Sequence, residues 1–78
     1  MDKYIEDVLT EIERAEKMYP PFHNSHEGYA IILEEVDELW SLVKERSRDY
    51  KSEYIEAKHI ACTAIRYMKM CASKDKEI

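Results

Sequence analysis

The sequence predicts an all-α protein, an antiparallel helical bundle of three main helices completed by oligomerisation. Three observations predict it. The 78 residues include one glycine and two prolines, and the prolines are adjacent, which leaves long segments without a turn signal. Apolar residues recur at three- and four-residue spacing in three separate stretches. Apolar residues make up 45% of the chain and charged residues 37%, a balance that suits a folded domain rather than a disordered segment.

The first helix runs from Asp2 to about Tyr19. Ile5, Val8, Leu9, Ile12 and Ala15 give it one apolar stripe, and Asp2 is placed to cap it. Pro20 and Pro21 end it, because proline lacks the backbone donor and restrains the residue before it. The loop PPFHNSH follows. Asn24 or Ser25 can cap the second helix, Asn24 and Glu27 have capping-box spacing, and Phe22 is placed as the apolar staple at its entry. His23 and His26 read as solvent-facing loop residues or as groups that hold a ligand. The second helix extends to about Arg46, the polar link SRDYKS turns the chain, and the third helix runs from about Ser52 to Ala72. Tyr54, Ala57, Ala61, Ala64, Ile65 and Met68 form its stripe, with alanines that let another helix approach closely. The reading is one domain over residues 1–72 and a charged tail over 73–78, which frays.

Composition narrows the function. The formal net charge is −5, from 17 acidic and 12 basic residues, with no dense basic face, which argues against duplex nucleic acid as a partner. The acidic balance suits a protein that collects cations and equally suits plain solubility. No segment reaches the run of about 20 apolar residues that a membrane helix needs, and no signal peptide opens the chain. Cys62 and Cys71 fall in one helical segment, too far apart along it to bridge, so a cytoplasmic protein with reduced thiols is expected.

The unusual feature is acid within packing helices. With about 100° between successive residues, Ile32, Val36, Leu39 and Val43 define the centre of the apolar face of the second helix. Ile31, Glu35, Glu38 and Leu42 form the neighbouring row. Glu35 therefore lies within the apolar arc and Glu38 at its border, while Glu34, Asp37 and Ser41 point to water. On the third helix, Glu53 shares a row with Ile60, Ala64 and Cys71, Glu56 sits at the border, and His59 lies on the side of Glu56. Each helix thus carries acids at i, i+3 along an edge of its packing surface. Gathering carboxylates in a half-buried place is unfavourable, because like charges repel and desolvation disfavours the ionised form. A divalent cation removes both objections, and hard oxygen donors suit Mg²⁺ or Mn²⁺. Salt bridges to Lys or Arg of a neighbouring helix are the alternative.

The segment PPFHNSHEGYAIILEEVDELW resembles the MazG-like members of the all-α nucleoside triphosphate pyrophosphatases, notably their short phage and prophage forms. Their hallmark is EExxE on one helix followed by ExxD on the next. Here the first motif stands as Glu34-Glu35-Val36-Asp37-Glu38, and the second aligns with Glu56-Ala57-Lys58-His59, so the likeness covers roughly Pro20 to Met68. The resemblance implies Mg²⁺-dependent hydrolysis of a nucleoside triphosphate to the monophosphate and pyrophosphate, by a homodimer or homotetramer. It implies Glu35, Glu38 and Glu56 as metal ligands. His59 stands where the family has aspartate, and imidazole is a poor Mg²⁺ ligand but a good one for Mn²⁺, Zn²⁺ or iron. Glu53 is the replacement carboxylate within reach by spacing. Glu34 or Glu38 is placed to orient the attacking water. Lys44, Lys58 or Arg66 could pair with phosphates, His26 could hold a ligand, and Trp40 or Tyr29 could stack on a base; surface charge and core or interface packing are the alternatives for these.

Broad apolar arcs support assembly. Tyr29, Ile32, Leu33, Val36, Leu39, Trp40 and Val43 cover more of the second helix than one core stripe needs, which predicts burial against a second copy. Two other functions fit the same residues. A non-catalytic helical module that keeps the fold and binds a partner or nucleotide is favoured by His59 in place of the acid. A transition-metal carboxylate protein is suggested by Glu56-x-x-His59, half of a di-iron motif, although a second ExxH is absent.

Overall fold

The computed structural model describes residues 1–78 as three helices, α1 (Lys3–Met18), α2 (Ser25–Val43) and α3 (Tyr50–Lys74), with no strand. Each start has a local cause. The Asp2 carbonyl accepts the first α1 amides, from Ile5 and Glu6, both at 3.1 Å, but its side chain makes no cap bond. Asn24 Oδ1 accepts the Glu27 amide at 2.9 Å. The reciprocal half of the capping box is displaced by one residue, because the Glu27 carboxylate receives the His23 amide at 3.1 Å instead of that of Asn24. Asp49 caps α3 twice, accepting the Ser52 amide at 3.1 Å and the Ser52 hydroxyl at 2.7 Å. That cap starts α3 at Tyr50, two residues before the sequence expectation. At the other end, α3 continues to Lys74, past the expected Ala72. Helix α2 stops at Val43, three residues short of the expected Arg46.

The tertiary arrangement is one layer of rods. Helix α3 lies in the middle and packs on α2 along one side and on α1 along the other, while α1 and α2 do not pack on each other. Pairings give the directions. Glu35 meets His59, and Gly28 abuts Tyr67 nearer the start of α2, so α2 runs antiparallel to α3. Glu11 pairs with Lys58 and Glu16 with Lys69, so α1 runs parallel to α3. The slab measures 46 × 31 × 23 Å. Its core is small: Ile12 and Ala15 of α1 close on Cys62 of α3, with Val8 and Ile65 packed against them. Phe22 is buried at the mouth of the first loop, where the Arg66 guanidinium lies 4.5 Å above its ring and donates to the Pro20 carbonyl at 3.1 Å. Arg66 thereby ties the PPF turn to α3.

Gly28 abuts the rings of Tyr67 on α3 and Phe22 in the first loop. A Cβ there would stand 2.7 Å from Cδ2 of Tyr67 and 3.0 Å from Cδ2 of Phe22, so any larger residue forces these rings to shift.

Helix α2 is rotated relative to the sequence expectation. Its inward residues are Gly28, Ile31, Ile32, Glu35, Leu39, Leu42 and Val43, whereas Val36 is exposed. The packing face therefore lies between the two rows: Ile32, Leu39 and Val43 stay inward, Val36 leaves the face, Ile31, Glu35 and Leu42 join it, and Glu38 is exposed. Helix α3 is corrected more strongly. Tyr54, Ala57, Ala64 and Met68 of its expected stripe are exposed, and Glu53, Glu56, His59, Ile60, Thr63, Tyr67 and Met70 turn inward. Both helices thus direct acid toward the contact between them.

Candidate metal centre

Three side chains meet where α2 crosses α3. Glu35 enters from α2, and Glu56 and His59, three residues apart on α3, complete the group; one donor atom from each lies within 4.8 Å of the others. His59 Nδ1 stands 3.6 Å from Glu35 Oε2 and 3.7 Å from Glu56 Oε2. Those separations are too long for hydrogen bonds. Both oxygens are out of reach of solvent and neither has a hydrogen-bond partner. Neither carboxylate pairs with any lysine or arginine; His59 is their one basic neighbour. Salt bridges from a neighbouring helix, the alternative that the sequence left open, are not formed here.

Glu38 joins the group from the next turn of α2. Its carboxyl lies beside that of Glu56, with which it can share a proton, and this holds it above the usual carboxylate range. Glu35 is pushed up to about 6, first by burial and then by the charge of Glu38. The carboxyls of Glu35, Glu38 and Glu56 therefore converge from two helices.

The donor set fits a divalent cation. Two donors held about 2.1 Å from one octahedral ion stand about 3 Å apart when adjacent and about 4 Å apart when opposite. The observed separations fall in that interval, and the two solvent-excluded oxygens lack any other partner.

A groove of about 520 Å³ leads away from this centre, over α3 and between α1 and α2. It exists because the outer helices do not close on each other. Glu35 and His59 form one end, Cys62 and Thr63 the floor, and Arg66, Tyr19 and Phe22 the other end. His59 to Arg66 is seven residues of helix, about 10 Å. Glu11 and Arg14 of α1 and Glu34 of α2 flank it. Arg14 grips Glu11 through Nε at 3.1 Å and Nη2 at 2.5 Å, and this pairing holds Glu11 below the usual carboxylate range. Burial pushes the Cys62 thiol up, so it is an inert floor.

The remaining expected site residues stand apart. Glu53 is not part of the group; its nearest basic partner is Arg48, at 3.5 Å. Lys58 turns to Glu11, 3.9 Å away. Trp40 and Lys44 lie off the groove, with the Lys44 ammonium 5.9 Å from the indole ring. His26 is exposed and does not line the groove, and Tyr29 is likewise exposed. Sequence reasoning gave no role to Glu11, Arg14 or Tyr19. The only signal for them was the polar border of the α1 stripe, which does not show what it faces. Comparison with known protein families, with curated proteins and with solved structures found no match.

Proposed function

We propose that the protein is a divalent-cation-dependent nucleoside triphosphate pyrophosphohydrolase acting in the cytoplasm. The observation that carries this reading is the convergence of Glu35, Glu38 and Glu56 without a lysine or arginine counter-ion, at the end of a groove of about 520 Å³. The motif that resembles the MazG-like enzymes supplies these same acids.

The reaction is hydrolysis of the α–β phosphoanhydride. Water adds to the α-phosphorus, the α–β P–O bond breaks, pyrophosphate leaves and one proton is released. A divalent ion, Mg²⁺ in the resembled family, would bring phosphate oxygens together and offset the charge that grows on them. Glu35, Glu56 and His59 would hold that ion. Glu38, next to Glu56 and reached by solvent, orients the water and accepts its proton. Glu34, on the wall of the groove, is the second carboxylate available for this task. The nucleoside lies along the floor toward Arg66, with Tyr19 as the aromatic surface within reach of the base.

Assembly as a homodimer or homotetramer uses the opposite face of the slab. Tyr29, Leu33, Val36 and Trp40 of α2, and Ala57, Ala64 and Met68 of α3, are exposed on helix faces that do not line the groove.

Release of nucleoside monophosphate and pyrophosphate from a panel of NTPs and dNTPs, with Mg²⁺ and then Mn²⁺, tests the reaction. Turnover that falls at least about 100-fold in Glu38→Gln is expected. Diphosphate and orthophosphate as products would refute it. Nucleotide binding without turnover would favour a catalytically degenerate binding module, the reading that His59 in an acid's position supports.

A further inference from the structure

We infer that this centre selects a nitrogen-accepting transition ion, such as Mn²⁺, over Mg²⁺, and that His59 is the residue that sets the choice. The inference rests on the proposed metal centre and goes beyond it in naming the ion and its selector.

Three observations carry it. The donor group is two carboxylates and one imidazole, not an all-oxygen set. The imidazole is not peripheral: Nδ1 stands 3.6 and 3.7 Å from the two carboxylate oxygens, so an ion seated among the three donors meets this nitrogen. Glu53 lies beside Arg48 and Glu11 is gripped by Arg14, so neither takes the place of the imidazole, and Glu38 adds a carboxyl beside Glu56 without displacing it. Mg²⁺ is hard, retains its waters and gains little from imidazole, whereas Mn²⁺ accepts mixed oxygen and nitrogen donors at similar coordination number. Zn²⁺ and Fe²⁺ bind nitrogen more strongly still. Mn²⁺ is the weakest nitrogen binder of these ions and the nearest to Mg²⁺ in its oxygen chemistry, so a preference for Mn²⁺ over Mg²⁺ is the most demanding test of His59.

The test uses the full chain, stripped of metal, and reads the bound ion itself. Mn²⁺ binding is followed by loss of the free-ion electron paramagnetic resonance signal, and Mg²⁺ affinity by competition. Electron spin-echo envelope modulation of bound Mn²⁺ then reports a directly coordinated nitrogen, and protein grown with ¹⁵N-histidine identifies it as imidazole without any substitution. We expect affinity for Mn²⁺ at least about tenfold above that for Mg²⁺, with modulation frequencies that change on ¹⁵N-histidine labelling. In His59→Asp, folded by circular dichroism, the nitrogen modulation disappears and the Mn²⁺ preference shrinks about tenfold. Bound Mn²⁺ with no nitrogen modulation, or an unchanged Mn²⁺ to Mg²⁺ ratio in His59→Asp, overturns the inference and leaves the metal centre standing. Failure of both ions to bind overturns the metal centre as well.

Discussion

Replacing Glu35 by glutamine should stabilise the metal-free protein at neutral pH while removing its affinity for metal. Glu35 titrates near 6 instead of 4.5, because it is desolvated on the packing face of α2 and faces Glu38. In the folded state it therefore holds its proton more tightly than in the unfolded chain. The stability linked to that proton is fully present below about 4.5 and is lost as pH rises through about 6. The whole shift corresponds to about 2 kcal/mol. Solvent still reaches the side chain, which is 22% exposed, and screening reduces the figure to about 1 kcal/mol. Glutamine has the same shape and no charge to desolvate. For a domain of this size, about 1 kcal/mol raises the melting temperature by about 4–8 °C. Thermal unfolding followed by circular dichroism, with EDTA present, should show that gain at pH 7.5 and none at pH 3.5, where Glu35 is protonated in both the folded and the unfolded chain. A variant that melts lower than wild type at pH 7.5 would refute the reasoning. It would mean that the Glu35–His59 ion pair fastens α2 to α3 and that the carboxylate is structural.

Other expectations concern the same contact and the faces around it. Mn²⁺ at about 100 times its dissociation constant should add about 2.7 kcal/mol to stability, seen as a rise in melting temperature that Glu56→Gln abolishes. Gly28→Ala should lower stability by about 1 kcal/mol: overpacking against Tyr67 and Phe22 exceeds the gain of about 1 kcal/mol in helix propensity, and chemical denaturation measures it. Trp40→Glu should shift the species seen in sedimentation from oligomer to monomer, because Trp40 is 56% exposed on an apolar face; a monomeric wild-type chain would remove the basis for that assembly.

The number, order and kind of the helices were legible in the sequence, because each carries periodic apolar residues and Pro20-Pro21 and Asn24 punctuate the first connection. The second connection carries neither glycine nor proline, and its boundaries were misplaced on both sides. The stop after Val43 has no sequence mark, and the Asp49–Ser52 cap was hidden inside a polar run. Rotation of α2 was also hidden. Tyr29, Leu33, Val36 and Trp40 widen its apolar arc so far that hydrophobicity alone does not show which edge faces α3. Ala57 and Ala64 of α3 misled in the same way, since they look like a packing stripe yet face outward within one chain, whereas Ala61 is half-buried. The spacing of Glu35, Glu38 and Glu56 was legible. That His59 lies between two of them depends on the crossing of α2 over α3, and the groove depends on α1 and α2 failing to meet. Both are relations between helices that no single segment encodes.

Crystals of the protein grown with Mn²⁺, and measured at a wavelength where manganese scatters anomalously, address the central claim most directly. One anomalous peak per chain, within coordination distance of Glu35, Glu56 and His59, is the predicted result. Ordered crystals from Mn²⁺-saturated protein that show no peak there, with His59 hydrogen-bonded to the two carboxylates, would contradict it.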